Sequence, residues 1–170
     1  MKLPLLSLIA VALATAQTQP PNSYVVREVG HELGKLPYLS IFDDVSYRVE
    51  GDNVILTGEV TRPIVKTDAE RLVKRVEGVA QVIDRIEVLP LSPNDERIRR
   101  ATYFALVRQP QLETYFLQAS CPIRIIVKNG DVTLQGAVSN QADADLAKLT
   151  AGNVSGVFHF TSKLEVENGR

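Results

Sequence analysis

Apolar and polar residues alternate from Val54 to Val60, and the same pattern returns from Val132 to Val138. Val54, Leu56, Gly58 and Val60 reappear as Val132, Leu134, Gly136 and Val138, each 78 positions later. A period of two is that of a strand with one buried face. Gly58 and Gly136 fall on that face, where a missing side chain admits a helix or another backbone. A second alternating run stands ahead of each copy: Val45, Tyr47 and Val49 in the first, Ile123, Ile125 and Val127 in the second. Gly51-Asp52 and Asn129-Gly130 supply the turns, so each pair of runs predicts an antiparallel hairpin.

Spacings of three and four mark the helices. Val25, Val29, Leu33 and Leu36 form one stripe, from a cap at Asn22 or Ser23 to about Lys35, closed by Gly34 and Pro37. After the first hairpin, Thr61 as N-cap and Pro63 in the first turn open a helix with Val65, Ala69, Leu72, Val73 and Val76 inward. Gly78 ends it, and a strand with Val82, Ile86 and Val88 completes the order helix, strand, strand, helix, strand. The second unit repeats that order. Ser92-Pro93-Asn94-Asp95 opens a helix with Ile98, Ala101, Thr102 and Ala105 inward, ending before Pro110. A closing helix keeps Ala147, Ala151 and Val154, and Phe160, Leu164 and Val166 mark the last strand.

From Val45 onward the two copies align without a gap, which makes the chain a duplication. Seven residues separate Pro37 from Val45, but twelve separate Pro110 from Ile123. The extra five fall within residues 113–118 and predict an inserted loop carrying Tyr115 and Phe116. That loop is a flap folded onto the core or a contact for a partner. On the faces out of phase with the core, Ile55, Ile83 and Ile126 suggest docking, between the units given the short linker or else onto another protein.

The start of the chain has a different character. Met1-Lys2, an apolar run from Leu3 to Leu13, and Ala14-Thr15-Ala16 read as an export signal over residues 1–16. Residues 17–21 read as a disordered leader, 22–89 and 93–168 as the two domains, and 90–92 as a proline-stiffened linker that keeps them close. No later stretch approaches the roughly 20 apolar residues of a membrane span. No cysteine follows the cleavage site to carry a lipid anchor, so the expected location is periplasmic or secreted. Cys121 is the sole cysteine, which rules out an internal disulfide. It reads as a small buried side chain beside Pro122; a cross-link to another chain or a reactive thiol is the alternative.

Charge and chemistry narrow the function. A net charge of −1 argues against nucleic acid as the main partner. Residues 17–91 carry −3 and residues 92–170 carry +1, so what basic character there is belongs to the second half. Neither His31 nor His159 has neighbours at a spacing that suggests a metal site. Asp43-Asp44 reads as a solvated or capping pair, and no glycine-rich phosphate loop follows a strand. The expectation is no catalytic residue, no metal and no cofactor.

Val54-x-Leu56-x-Gly58-x-Val60 with Gly78-Val79, and Val132-x-Leu134-x-Gly136-x-Val138 with Gly156-Val157, resemble the BON (bacterial OsmY and nodulation) domain family. The resemblance covers residues 23–166. It implies an α+β fold of two tandem αββαβ units, each a three-stranded mixed sheet with two helices on one face. It also implies a non-enzymatic cell-envelope protein that binds phospholipid or other envelope components and supports envelope integrity or stress tolerance. In tandem members the first helix of the second unit is associated with lipid contact. Here that helix leaves Arg100, Tyr103 and Val107 opposite its inner stripe, with Arg97, Phe104 and Arg108 beside them. Arginines mixed with aromatics suit an anionic headgroup region. These six residues are the candidates for a lipid or envelope-protein contact, with Tyr115 and Phe116 secondary; the competing reading packs Tyr103 and Phe104 against the first unit or under the inserted loop. The short, acidic closing helix of the second unit, residues 141–152, departs from such chemistry. The alternative is a protein-interaction or oligomer-building envelope module that binds no lipid.

Overall fold

The computed structural model describes residues 23–118 and 120–167; the predicted export signal and leader lie outside them. The first unit runs α1 (Ser23–Leu33), β1 (Ser46–Glu50), β2 (Asn53–Thr57), β3 (Glu59–Val60), α2 (Pro63–Val73), β4 (Gln81–Asp84) and β5 (Glu87–Val88). The second runs α3 (Pro93–Val107), α4 (Pro110–Phe116), β6 (Ile123–Lys128), β7 (Asp131–Val138), α5 (Gln141–Gly152) and β8 (Phe160–Val166). Each hairpin is antiparallel, and the strand after the closing helix joins it in parallel, giving the orders β1-β2-β4 and β6-β7-β8. This is the α+β architecture of tandem mixed-sheet units that the family resemblance implies.

The helices of each unit share one face of its sheet. Val25, Val29 and Leu33 of α1 and Val65, Ala69 and Val73 of α2 pack on Val49, Val54, Leu56 and Val60. In the second core Ile98 and Leu106 of α3, Leu112 and Tyr115 of α4, and Ala144, Ala147 and Ala151 of α5 cover Ile123, Ile125, Val127 and Leu134.

Several local expectations change. The glycines of the repeated strand make room for backbone, not for helices. Gly58 (φ +124°) and Gly136 (φ +122°) occupy conformations that favour glycine, and a Cβ there would collide with the carbonyl oxygens of Asp44 and Pro122, where the neighbouring strand approaches. Thr61 does not cap α2; Arg62 stands at the N-cap without a side-chain bond. Helix α1 stops at Leu33 and α5 at Gly152, which leaves Lys35, Leu36 and Val154 outside the helices. The predicted inserted loop is largely helix α4, with Pro110 in its first turn and Leu112 and Tyr115 buried. Burying two such side chains stabilises it by about 1.5–3 kcal/mol each, enough to fold a segment too short to be helical alone.

Asp43 is completely buried rather than solvated. One carboxylate oxygen accepts from Ser40 N (2.8 Å) and Ser40 Oγ (2.6 Å), and the other from Thr61 N (2.6 Å) and Thr61 Oγ1 (2.7 Å). The segment it ties down reaches across to the second unit. Ile41 O accepts from Ile125 N on the β6 edge (2.8 Å), and Ile41 and Phe42 pack against the second core. Lys128 Nζ meets Glu87 Oε2 at 2.7 Å, a second link between the units. On the helix-free faces Ile55 and Ile126 are buried and Ile83 is half-buried.

Asp43→Ala strands two backbone donors and two hydroxyls at once, so it should lower unfolding stability by about 3 kcal/mol in a denaturant titration. Asp43→Asn keeps one acceptor oxygen and should cost less.

Candidate functional site

The candidate surface is built on α3. Ser92 caps it, its hydroxyl accepting from Asp95 N at 3.1 Å, with Pro93 in the first turn and Asp95 and Glu96 at the positive end of the helix dipole. The Asp95 carboxylate does not return to Ser92 as a capping box would. It is 1% exposed and accepts from Asn129 N (2.9 Å) and Gly130 N (2.8 Å). Those residues form the β6–β7 turn, both at positive φ (53° and 84°), so a buried charge on α3 pins the tip of the hairpin. One turn on, Arg99 Nη2 donates to Val127 O at 2.8 Å, and Arg99 Nη1 lies 3.5 Å from Glu96.

These two charged residues turn the helix. Its buried positions are Asp95, Ile98, Arg99, Thr102 and Leu106, whereas Ala101 and Ala105, predicted inward, are only half-buried. The outward centre moves with them. Arg97, Arg100, Phe104 and Arg108 are exposed, while Tyr103 and Val107 are half-buried at the margin. Phe104 is 53% exposed and rests on Tyr103, ring centroids 5.3 Å apart. Tyr103 in turn meets Phe42 (6.4 Å) and Phe116 (5.7 Å) edge-on, which places it in the seam between the first unit, α3 and α4. Arg97 donates to Ser155 O (3.2 Å) and Asn94 Oδ1 (3.0 Å), and Arg100 Nε lies 3.6 Å from Glu96.

The secondary candidates face inward. Tyr115 is 6% exposed; its hydroxyl donates to Asp143 (2.6 Å) and accepts from Ser139 N (2.9 Å), bracing α4 against the start of α5. Phe116 is half-buried, and Leu117 beyond it is 75% exposed.

Metal-ligating groups come closer together than their spacing suggested. Glu28, His31 and Glu32 lie on one side of α1 with ligand atoms within 4.8 Å of one another. Lys35 already holds Glu32 at 2.5 Å and, as the main cause, keeps its carboxyl below the usual range, with no buried group to enforce a coordination geometry. His159 and Asp131 form an exposed pair at 2.9 Å. Cys121 is buried, donates to Ile123 O at 3.3 Å, and burial pushes its thiol up, which disfavours the nucleophilic thiolate. Among the described residues, no helix is long and apolar enough to cross a membrane.

A family model, described as the BON domain, matches residues 23–90 and again residues 94–168. No curated protein matches the chain. Among solved structures it is similar to the C-terminal domain of CdsD, the structural protein of the type III secretion system of Chlamydia trachomatis. That likeness has 16% identity and a TM-score of 0.33, covering 86% of this chain and 66% of that one, just under two thirds. A further CdsD structure from the same organism is similar at 13% identity and a TM-score of 0.30, covering 85% and 93%.

Asp95→Ala should release the hairpin tip. Amide exchange at Asn129 and Gly130 should quicken markedly, and stability should fall by about 2 kcal/mol, since two backbone donors, that of Gly130 buried, lose a charged acceptor.

Proposed function

This chain belongs to the BON domain family, in two copies, and on that premise we propose that it is an exported envelope module contacting anionic phospholipid through the outward face of α3. BON domains are generally non-catalytic and envelope-associated. The observation that carries the reading is Phe104, half exposed on a face shared with Arg97, Arg100 and Arg108. An aromatic ring at headgroup depth buries apolar area, and each arginine near an anionic surface contributes about 1 kcal/mol. Tyr103 supports the ring from the margin rather than entering the lipid, and Val107 stays half-buried at the same margin. The attachment is peripheral and weakens with salt. Export would follow from the signal at residues 1–16, and the role would be to sustain the envelope under stress.

Liposome sedimentation tests this, using phosphatidylcholine vesicles with and without phosphatidylglycerol. Wild type should bind only the anionic vesicles. Arg100→Glu with Phe104→Ser should weaken binding at least about 30-fold, because the charge reversal alone removes roughly 2 kcal/mol. Both positions are on the surface, so the fold should survive. Undiminished binding by the double variant would overturn the assignment.

One observation favours a second reading, a protein-interaction module. Among the described residues no strand lies beside the outer edge of β8, whose strand pairing is with β7 across Val132–Val138. An open edge can accept a strand from another chain. If that edge builds oligomers, Leu164→Pro should abolish self-association measured by sedimentation velocity; a wild-type chain that is monomeric at every concentration refutes it.

A further inference from the structure

The helix-free face of the second sheet carries a row of side chains that the first unit lacks. Arg124 on β6 pairs in register with Gln135 on β7, and Gln135 with Lys163 on β8. Ile123, Ile125 and Leu134 point into the core beneath the helices, so these three project from the opposite face. Neighbouring strands lie about 4.8 Å apart, which sets the stems of Arg124 and Lys163 about 10 Å apart with the carboxamide between them. All three line one cleft of about 610 Å³, together with Ser46 and Asp44 of the first unit. The positions 78 residues earlier are Ser46, Thr57 and Arg85, so the combination belongs to the second unit alone.

Two features separate this row from ordinary wet surface. Gln135 Nε2 is enclosed and has no hydrogen-bond partner, whereas buried donors are paired with few exceptions. Neither Arg124 nor Lys163 forms an ion pair with a described residue, although Asp44 and Glu165 line the same cleft. The Asp44 carboxylate is instead engaged by the Ser46 hydroxyl at 3.3 Å. Two cations without a close ion-pair partner thus flank a donor that lacks an acceptor.

We propose that this cleft binds the carboxylate or phosphate group of a small ligand. With its carboxamide turned over, Gln135 presents its nitrogen to one oxygen, and the others bridge the Arg124 guanidinium and the Lys163 ammonium. Charge-assisted bonds of this kind supply the acceptor that the folded chain does not. Asp44 and Glu165 line the same cleft, so the anion seats between the two cations and away from both carboxylates. The site lies on the sheet face opposite α3, so it stands apart from the lipid reading.

Titration of the ¹⁵N-labelled protein with sodium phosphate, with sodium acetate and with sodium chloride at matched ionic strength tests the proposal. A saturable shift of the Gln135 side-chain amide and of the Arg124 and Lys163 resonances is expected with phosphate, with acetate or with both; which of them saturates identifies the group. Arg124→Gln and Lys163→Gln should each weaken it about tenfold, since each removes one charged donor from the anion. The same two variants should leave vesicle binding unchanged, and Arg100→Glu with Phe104→Ser should leave the anion shifts unchanged. Shifts no larger than those from chloride, or equal in wild type and variants, would overturn the proposal.

Discussion

The Asp43 carboxylate is the constraint on which the arrangement of the two units depends. Its oxygens hold Ser40 on one side and Thr61 on the other, so residues 40–43 are fixed to the end of β3. Between those anchors Ile41 and Phe42 have one direction left to go, onto the second unit. There Ile41 closes a backbone bond with the β6 edge, and Phe42 meets the Tyr103 ring. A buried carboxylate is tolerable because all of these donors converge on it, and costly to disturb for the same reason. The clamp also narrows the candidate surface: with Tyr103 committed to the seam, Phe104 is the aromatic left facing solvent.

A second buried charge does comparable work within the second unit. Asp95 and Arg99 reach from α3 to the backbone of the β6–β7 hairpin, which ties helix to turn and sets the rotation of the helix about its axis. The corresponding stripe of α1 is Val25, Val29 and Leu33, all apolar. Polar residues at the inner positions therefore fix more than stability. They decide which arginines and which ring are presented outward.

That is also where the sequence misleads. The duplication, the hairpins and the helix order were legible because alternation and three-four spacing follow directly from which face is buried. Asp95 and Arg99 are charged, so any reading by polarity assigns them to water and turns α3 toward Ala101 and Ala105. Asp43 was legible only in part: it caps backbone amides, as one of the two expected roles has it, but nothing local signals that Ser40 and Thr61 will enclose it. Residues 110–116 show only Leu112 and Tyr115 as inward anchors, too few for a period, and the helix there depends on a core that forms from distant strands. Gly58 and Gly136 were correctly placed on the inner face. What approaches them was not legible, since the strand lead-ins at Asp44 and Pro122 are brought there only by the register.

The two copies are alike in their packed strands and unlike in their first helix and on their surfaces, and the surface differences fall on two opposite faces of the second sheet. On the helix side, inner charges turn α3 so that Arg100 and Phe104 project. On the open side, Arg124, Gln135 and Lys163 replace Ser46, Thr57 and Arg85. A sheet separates these faces, and the core residues between them, Ile125 and Leu134, are fully buried and tightly packed. Substitutions on one face therefore have little means of disturbing the other. The repeated strand Val132–Val138 belongs to both, its even positions to the core and Gln135 to the open face, so the motif that reveals the duplication also carries the residue on which the copies diverge.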